Sequence, residues 1–357
     1  MDFFIVAFLI YVLSGTKINR KEFYEDYLSI KYTNQLRGIF VIVVICHHLA
    51  QQISTDFLFY YFRYVGHLAV SIFFFISGYG LMIQYKEKKE EYLKSLFKLQ
   101  IPKIFIPYMI TTIIYLVVRN VIGKEITVKD ALLTYIDHDT ILPASWFIFA
   151  LIIFYIIFYY SCKLWKKNSS NIIISVFIGL SIYSIACYIL NYHSYWFNSC
   201  FTFCLGVIWA VYQKQIIKSV NNHYPIIFCA CSALFLLFFL PLVLINDRFS
   251  GGIIKLICEE LSAILFCISV ILLGEKVQFR NKMLGFVGNI SFETYLIQGV
   301  VMLLLRNDRW NLASDVLYST IVLLGSVLFA IVLHEIYKSI TDRFIAFILL
   351  YKCNKTE

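Results

Sequence analysis

Ten stretches of the sequence are apolar over roughly the 20 residues a helix needs to cross the hydrocarbon of a bilayer. They run over about 36–53, 67–85, 101–118, 144–162, 171–190, 195–213, 225–245, 253–274, 286–306 and 314–337. Inside lipid every backbone N–H and C=O must be satisfied within the protein, so stretches of this length are read as helices. The expected fold class is all-α, a polytopic integral membrane protein with ten core transmembrane helices. An eleventh stretch, 3–14, is shorter and adds a short N-terminal hydrophobic helix. It reads as a tilted anchor, a re-entrant piece or an interfacial helix. A cleaved signal peptide fits less well, because the basic leader is missing and Asp2 stands at its start.

Composition agrees. Hydrophobic residues make up 60% and charged residues 15%, against roughly 45–50% and about 25% in soluble domains. Secreted disulfide scaffolds, disordered chains and nucleic-acid readers are excluded. The lipid bilayer is the expected partner, and no nucleic acid is. The ten cysteines show no CxxC pair and no Cys/His cluster at zinc spacing, so they read as space-filling thiols and no metal is expected.

Lys and Arg set the orientation. Of the 31, 23 fall in 15–37, 84–103, 162–170, 214–224, 275–285 and the tail from 338, and 8 fall in the alternate loops. The first set is placed in the cytoplasm, with the C-terminus. The expected organisation is a short hydrophobic helix and cytoplasmic linker at 1–35, a transmembrane domain at 36–337 and a cytoplasmic tail at 338–357. No soluble domain is expected at either end.

The most informative segment runs from Leu36-Arg37-Gly38 to Cys46-His47-His48. Eleven residues turn an α-helix about 20° past three full turns, so Arg37 and His48 share a face about 16 Å apart. An ionisable side chain in mid-membrane is expensive and points to a polar interior. The plain reading of His48 is a histidine bonded to a neighbouring helix.

Arg37 followed by His48, with ten residues between them, resembles the signature of the membrane acyltransferase 3 family, multi-helix proteins that O-acylate cell-surface sugars and glycolipids. Other pieces follow in order. Gly66-His67-Leu68-Ala69-Val70-Ser71-Ile72-Phe73-Phe74-Phe75-Ile76-Ser77-Gly78-Tyr79-Gly80 is similar to a family block. So are Pro107-Tyr108, Ser145-Trp146-Phe147, Phe203-Cys204-Leu205-Gly206 and Gly288-Asn289-Ile290-Ser291-Phe292-Glu293-Thr294-Tyr295-Leu296-Ile297-Gln298. The resemblance spans about 30–335. Ser71 stands where many members carry Asp, Gln298 where many carry His, and lysines replace an arginine-rich stretch. The family's fused extracytoplasmic hydrolase-like domain is not expected here, which leaves room for a separate extracytoplasmic partner protein.

The resemblance implies acetyl-CoA from the cytoplasm as donor co-substrate. It implies as acceptor a hydroxyl of a cell-envelope polysaccharide, its lipid-linked precursor or a glycolipid. Such transfer needs a base for the hydroxyl and donors for the developing oxyanion. His48 is the expected catalytic base, or alternatively an acyl carrier. Arg37 suits coenzyme A phosphates, since guanidinium binds phosphate in bidentate fashion. Lys94 and Lys98, i,i+4 on a helix entering the bilayer, and Lys103 read as a phosphate or anionic-lipid site or as topological charge.

Glu293 is the second candidate catalytic residue. It lies about eight residues into its span, a depth resembling that of His48, and is expected to share a cavity with it and to orient or charge a partner. Ser77 reads as an oxyanion donor or as a hydroxyl bonded back to its own helix. Trp146 reads as an aromatic-belt residue or a sugar platform, and Tyr295 as a substrate contact or a packing residue. Asp137-His138-Asp139 reads chiefly as a solvated loop, Lys255 and Glu259 as an i,i+4 pair, and His334-Glu335 as interfacial. The composition bias toward Ile, Asn, Lys, Tyr and Phe points to an AT-rich bacterial genome and hence a bacterial plasma membrane. The rival reading is a proton-coupled transporter or flippase of lipid-linked sugars, which intramembrane His and Glu would also serve.

Overall fold

A computed structural model describes residues 1–54, 57–123, 142, 145–166, 168–245 and 252–353, the last four by backbone alone. The helices are α1 (Asp2–Ser14), α2 (Ile30–Ala50), α3 (Phe57–Tyr60), α4 (Gly66–Ser95), α5 (Ile101–Val121), α6 (Ser145–Trp165), α7 (Ser169–Ile189), α8 (Phe201–Asn222), α9 (Tyr224–Leu244), α10 (Ile253–Lys276), α11 (Lys282–Asn289), α12 (Ser291–Leu305) and α13 (Asp315–Cys353). Among the described residues, eight helical runs are long and apolar enough to cross a membrane, and α11 with α12 makes a ninth if that bent pair is one span. The run Gly66–Val121 counts once but holds two of the expected stretches, 67–85 and 101–118. The chain is thus an all-α polytopic membrane protein. α9 shows how lipid is met, since Leu242 is its one buried residue, as suits a helix apolar all round.

Three expectations change. The basic stretch 84–103 is helical rather than a loop: α4 continues to Ser95, a π-helical turn covers Leu96–Gln100, and α5 follows at once. The break is confined to Lys89, at φ 48°. The span expected at 286–306 is broken at Ile290, where α11 and α12 bend by 75°. The stretch 15–35 is folded. β1 (Thr16–Ile18) pairs antiparallel with β2 (Val277–Phe279), Thr16 opposite Phe279 and Ile18 opposite Val277. Past β1, the Asn19 and Tyr24 amides donate to the carbonyls of Lys276 (2.9 Å) and Glu275 (2.8 Å). The Lys276 ammonium lies 3.5 Å over the Phe23 ring, and Trp209 donates to the buried Tyr27 hydroxyl at 2.8 Å.

The helices cluster into two compact units. The first comprises Met1–Glu87 and Leu164–Asn289, the second Lys88–Lys163 and Ile290–Glu357. In the first, α2 starts where the Ser29 side chain accepts the Tyr32 amide at 3.3 Å, an N-cap that satisfies an otherwise unpaired donor. α2 then lies directly on α11. A Cβ at Gly38 would overlap the Leu284 carbonyl, and one at Gly288 the Asn34 carbonyl. Only glycine allows backbones this close. α4 and α8 meet the same way: a Cβ at Gly78 would strike the Phe203 carbonyl, and one at Gly206 the Phe75 carbonyl. The core between these helices includes the buried Phe40, Val44, Phe74, Phe75, Phe203 and Val207.

In the second unit, α12 and α13 pack on each other and on α5. The Thr111 hydroxyl of α5 donates to the Pro107 carbonyl at 2.8 Å and lies 2.6 Å from the Tyr337 hydroxyl of α13.

Candidate functional site

The first unit holds two polar clusters at opposite ends of α2. At the N-terminal end, Arg37 Nη1 donates to Asn34 Oδ1 at 3.3 Å, and Asn34 Nδ2 donates to Asn289 Oδ1 at 2.5 Å. The Gly38 and Gly288 contacts fix this register. The segments around Arg37 and Asn289, 252 residues apart, therefore form one structure, and Arg37 is braced through two amides.

At the C-terminal end, His47 and His48 occupy the last turn of α2. Their ring centroids are 5.1 Å apart. Counted from the apolar run, His48 belongs in mid-span; the observed helix begins at Ile30 and ends at Ala50, so His48 stands at its exit. Arg37 and His48 lie on one unbroken helix, eleven residues apart. His47 Nδ1 is 2.9 Å from the Phe62 carbonyl, which can only accept, so Nδ1 carries the proton. His47 Nε2 therefore accepts from Gln51 Nε2 at 3.1 Å. Gly66 leaves room for the His47 ring, because a Cβ there would sit 2.5 Å from Nε2. His67, on α4, lies 3.2 Å from the Ser262 hydroxyl through Nε2. His48 and His67 both lie within electrostatic reach of His47, so three imidazoles gather at one end of this unit.

Nearby on α10, Glu259 and Glu260 are answered separately. Asn198 donates to Glu259 Oε2 at 3.2 Å, and the Phe201 amide donates to Glu260 Oε1 at 2.9 Å. The second contact places a carboxylate at the N-terminus of α8, where the helix dipole favours it. Lys255, one turn before Glu259, lies within its electrostatic reach, though among the described residues no ion pair within 4 Å joins them. Ser77 is half-buried, and among the described residues its hydroxyl makes no hydrogen bond, so the expected bond back to its helix is not formed. Ser71 makes such a bond instead, to the Leu68 carbonyl at 2.6 Å.

In the second unit, Glu293 sits in the first turn of α12, just past the break, rather than eight residues deep. The reckoning that put it eight residues deep assumed one unbroken helix over 286–306. Its partner is His334 of α13, with Oε1 2.8 Å from Nδ1. Sequence reasoning read His334 as interfacial and did not pair it with Glu293, because 41 residues separate the two and no helical spacing links them. Tyr295, two residues on, is buried with its ring edge-on to Phe147 at 5.2 Å. Trp146 packs edge-on to the same Phe147 at 6.0 Å. Gln298 Nε2 donates to the Tyr295 carbonyl at 3.1 Å, while its buried Oε1 has no partner. Lys94 is exposed in the last turn of α4, Lys98 lies in the π turn, and Lys103 is exposed in the first turn of α5. The π turn interrupts the regular spacing that would have put Lys94 and Lys98 on one face. Asp137-His138-Asp139 lies outside the described residues.

The motif pieces thus fall into contact groups. Arg37-Gly38 meets Gly288-Asn289, and Ser77-Gly78 meets Phe203–Gly206, both in the first unit. In the second, the Ser145 and Tyr108 hydroxyls lie 3.2 Å apart, and Phe147 meets Tyr295. A family model described as an acyltransferase domain matches residues 30–335. No curated protein and no solved structure matches the chain. With 306 of its 357 residues inside that match, bearing these groups in order, the chain belongs to the acyltransferase 3 family, the membrane acyltransferases.

Proposed function

We propose that the protein is an O-acyltransferase of the plasma membrane that moves an acetyl group from acetyl-CoA to a hydroxyl of a cell-envelope polysaccharide, its lipid-linked precursor or a glycolipid. The observation that carries this reading is the braced Arg37 with His48 eleven residues on along the same helix. Arg37 binds the phosphates of the donor, a role that suits a guanidinium whose orientation is already fixed. His48 takes the proton of the attacking hydroxyl, or in the alternative carries the acyl group itself. Ser77 offers a free hydroxyl to the developing oxyanion. Glu293 orients or charges a partner group. Trp146 and Tyr295, both against Phe147, hold the acceptor sugar, and Lys94, Lys98 and Lys103 hold phosphate or anionic lipid. The bias of Lys and Arg toward one set of connections supports a cytoplasmic C-terminus, on the side of the proposed donor.

One observation favours a second reading. The broken pair α11–α12, with a carboxylate at the half-helix N-terminus, has the discontinuous form found at transporter binding sites. The test is CoA release by the full chain in nanodiscs, with radiolabelled acetyl-CoA and an envelope extract as acceptor. Release that depends on the extract, with label passing to it, is the expected outcome. Folded protein that neither binds acetyl-CoA nor releases CoA contradicts the enzyme reading and turns attention to sugar-lipid flux.

A further inference from the structure

Two ionisable side chains on neighbouring apolar helices are costly unless they are used or paired. Glu293 and His334 are such a pair, and their geometry is specific. The contact runs from Glu293 Oε1 to Nδ1 of the ring at 2.8 Å. A carboxylate accepts, so Nδ1 carries a proton and Nε2 is left as the working nitrogen. Among the described residues Nε2 has no hydrogen-bond partner, and the His334 side chain is 34% exposed while that of Glu293 is 11% exposed. The carboxylate is thus tucked away behind an imidazole whose far edge can be reached. Tyr337, three residues after His334, lies within electrostatic reach of Glu293. Its hydroxyl is held by Thr111, itself anchored on the Pro107 carbonyl, so the surroundings of the pair are tied to α5. A carboxylate that fixes tautomer and orientation, with the opposite nitrogen open, is the arrangement by which an imidazole gives and takes protons in acyl transfer.

Transfer from a thioester to a hydroxyl moves two protons, one off the attacking oxygen and one onto the leaving sulfur. The first is assigned above to His48, and the second is still without a group.

We propose that Glu293 and His334 are a proton-handling dyad for the leaving thiol of the donor. This rests on the acyltransferase reading. As the acceptor oxygen bonds to the acyl carbon, the C–S bond breaks and its electron pair goes to sulfur. The imidazole enters this step protonated on both nitrogens beside the Glu293 carboxylate; it gives its Nε2 proton to sulfur and keeps the one on Nδ1, while the hydroxyl's own proton goes to the base of the reaction. The imidazole regains its Nε2 proton from water before the next turnover. His334 is the catalytic residue in this step, and Glu293 is a positioning residue that acts through it.

The test compares acetyl-CoA with its selenoester analogue, whose more acidic selenol leaves with little need of protonation. In nanodiscs, His334→Asn keeps a donor toward Glu293 and removes Nε2. It is expected to slow CoA release about 100-fold or more, with KM for the donor unchanged and a loss on the selenoester at least about tenfold smaller. Glu293→Gln, which still offers an oxygen to Nδ1–H, is expected to show the same donor dependence with a smaller loss. An equal loss on both donors, or no loss, overturns the dyad while the acyltransferase reading stands. No CoA release by the wild-type protein from either donor overturns both.

Discussion

Asn289 illustrates what a single side chain does here. Its amide oxygen accepts from Asn34, which accepts in turn from Arg37, so an asparagine 252 residues away sets the direction of the guanidinium. A net hydrogen bond of this kind contributes about 0.5–1.5 kcal/mol. Asn289→Ala is therefore expected to raise KM for acetyl-CoA roughly two- to tenfold while leaving kcat in place; steady-state kinetics read both, and a loss of kcat at constant KM would contradict the bracing role. Arg37 and His48 were legible from the sequence, because their relation is local and follows from helical pitch alone. The partners of charged residues were not legible. Glu293 is answered from a different helix and Glu260 by a backbone amide.

At the scale of elements, glycine decides which helices touch. Gly38 and Gly288 let α2 and α11 meet backbone to backbone, whereas a Cβ at Gly285 would find only the Gln35 side chain, at 3.8 Å. Gly288→Ala is expected to destabilise the protein by about 1–3 kcal/mol or more, because a carbonyl must move to admit the methyl. Gly285→Ala, one turn away, is expected to be close to neutral. Thermal unfolding in detergent tests the pair, and equal melting temperatures would contradict the close approach. Each expected span falls on a helix, since long apolar runs leave the backbone no other choice. What hydropathy missed were interruptions and long-range pairings. The 75° break at Ile290 sits inside an apolar run, and the clasp of β1 on β2 joins segments about 260 residues apart. The lysine-rich 84–103 stretch looks like a loop by charge but is helix by hydrogen bonding, because Lys and Glu favour helices wherever water reaches them.

For the whole molecule, the family match and the ordered motif groups fit one account, in which a membrane enzyme binds its donor at one end of α2 and activates its acceptor at the other. Sequence supplied the architecture, because lipid as solvent restricts it so severely. The substrate reading rests on two ionisable side chains and what holds them. The most direct measurement is therefore donor binding and turnover, taken side by side for wild type, Arg37→Ala and His48→Ala in nanodiscs with radiolabelled acetyl-CoA and an envelope acceptor. The account predicts that Arg37→Ala loses binding, whereas His48→Ala binds as wild type does but turns over slower by about 10²-fold or more. Wild-type turnover by His48→Ala, or undiminished acetyl-CoA binding by Arg37→Ala, would contradict it.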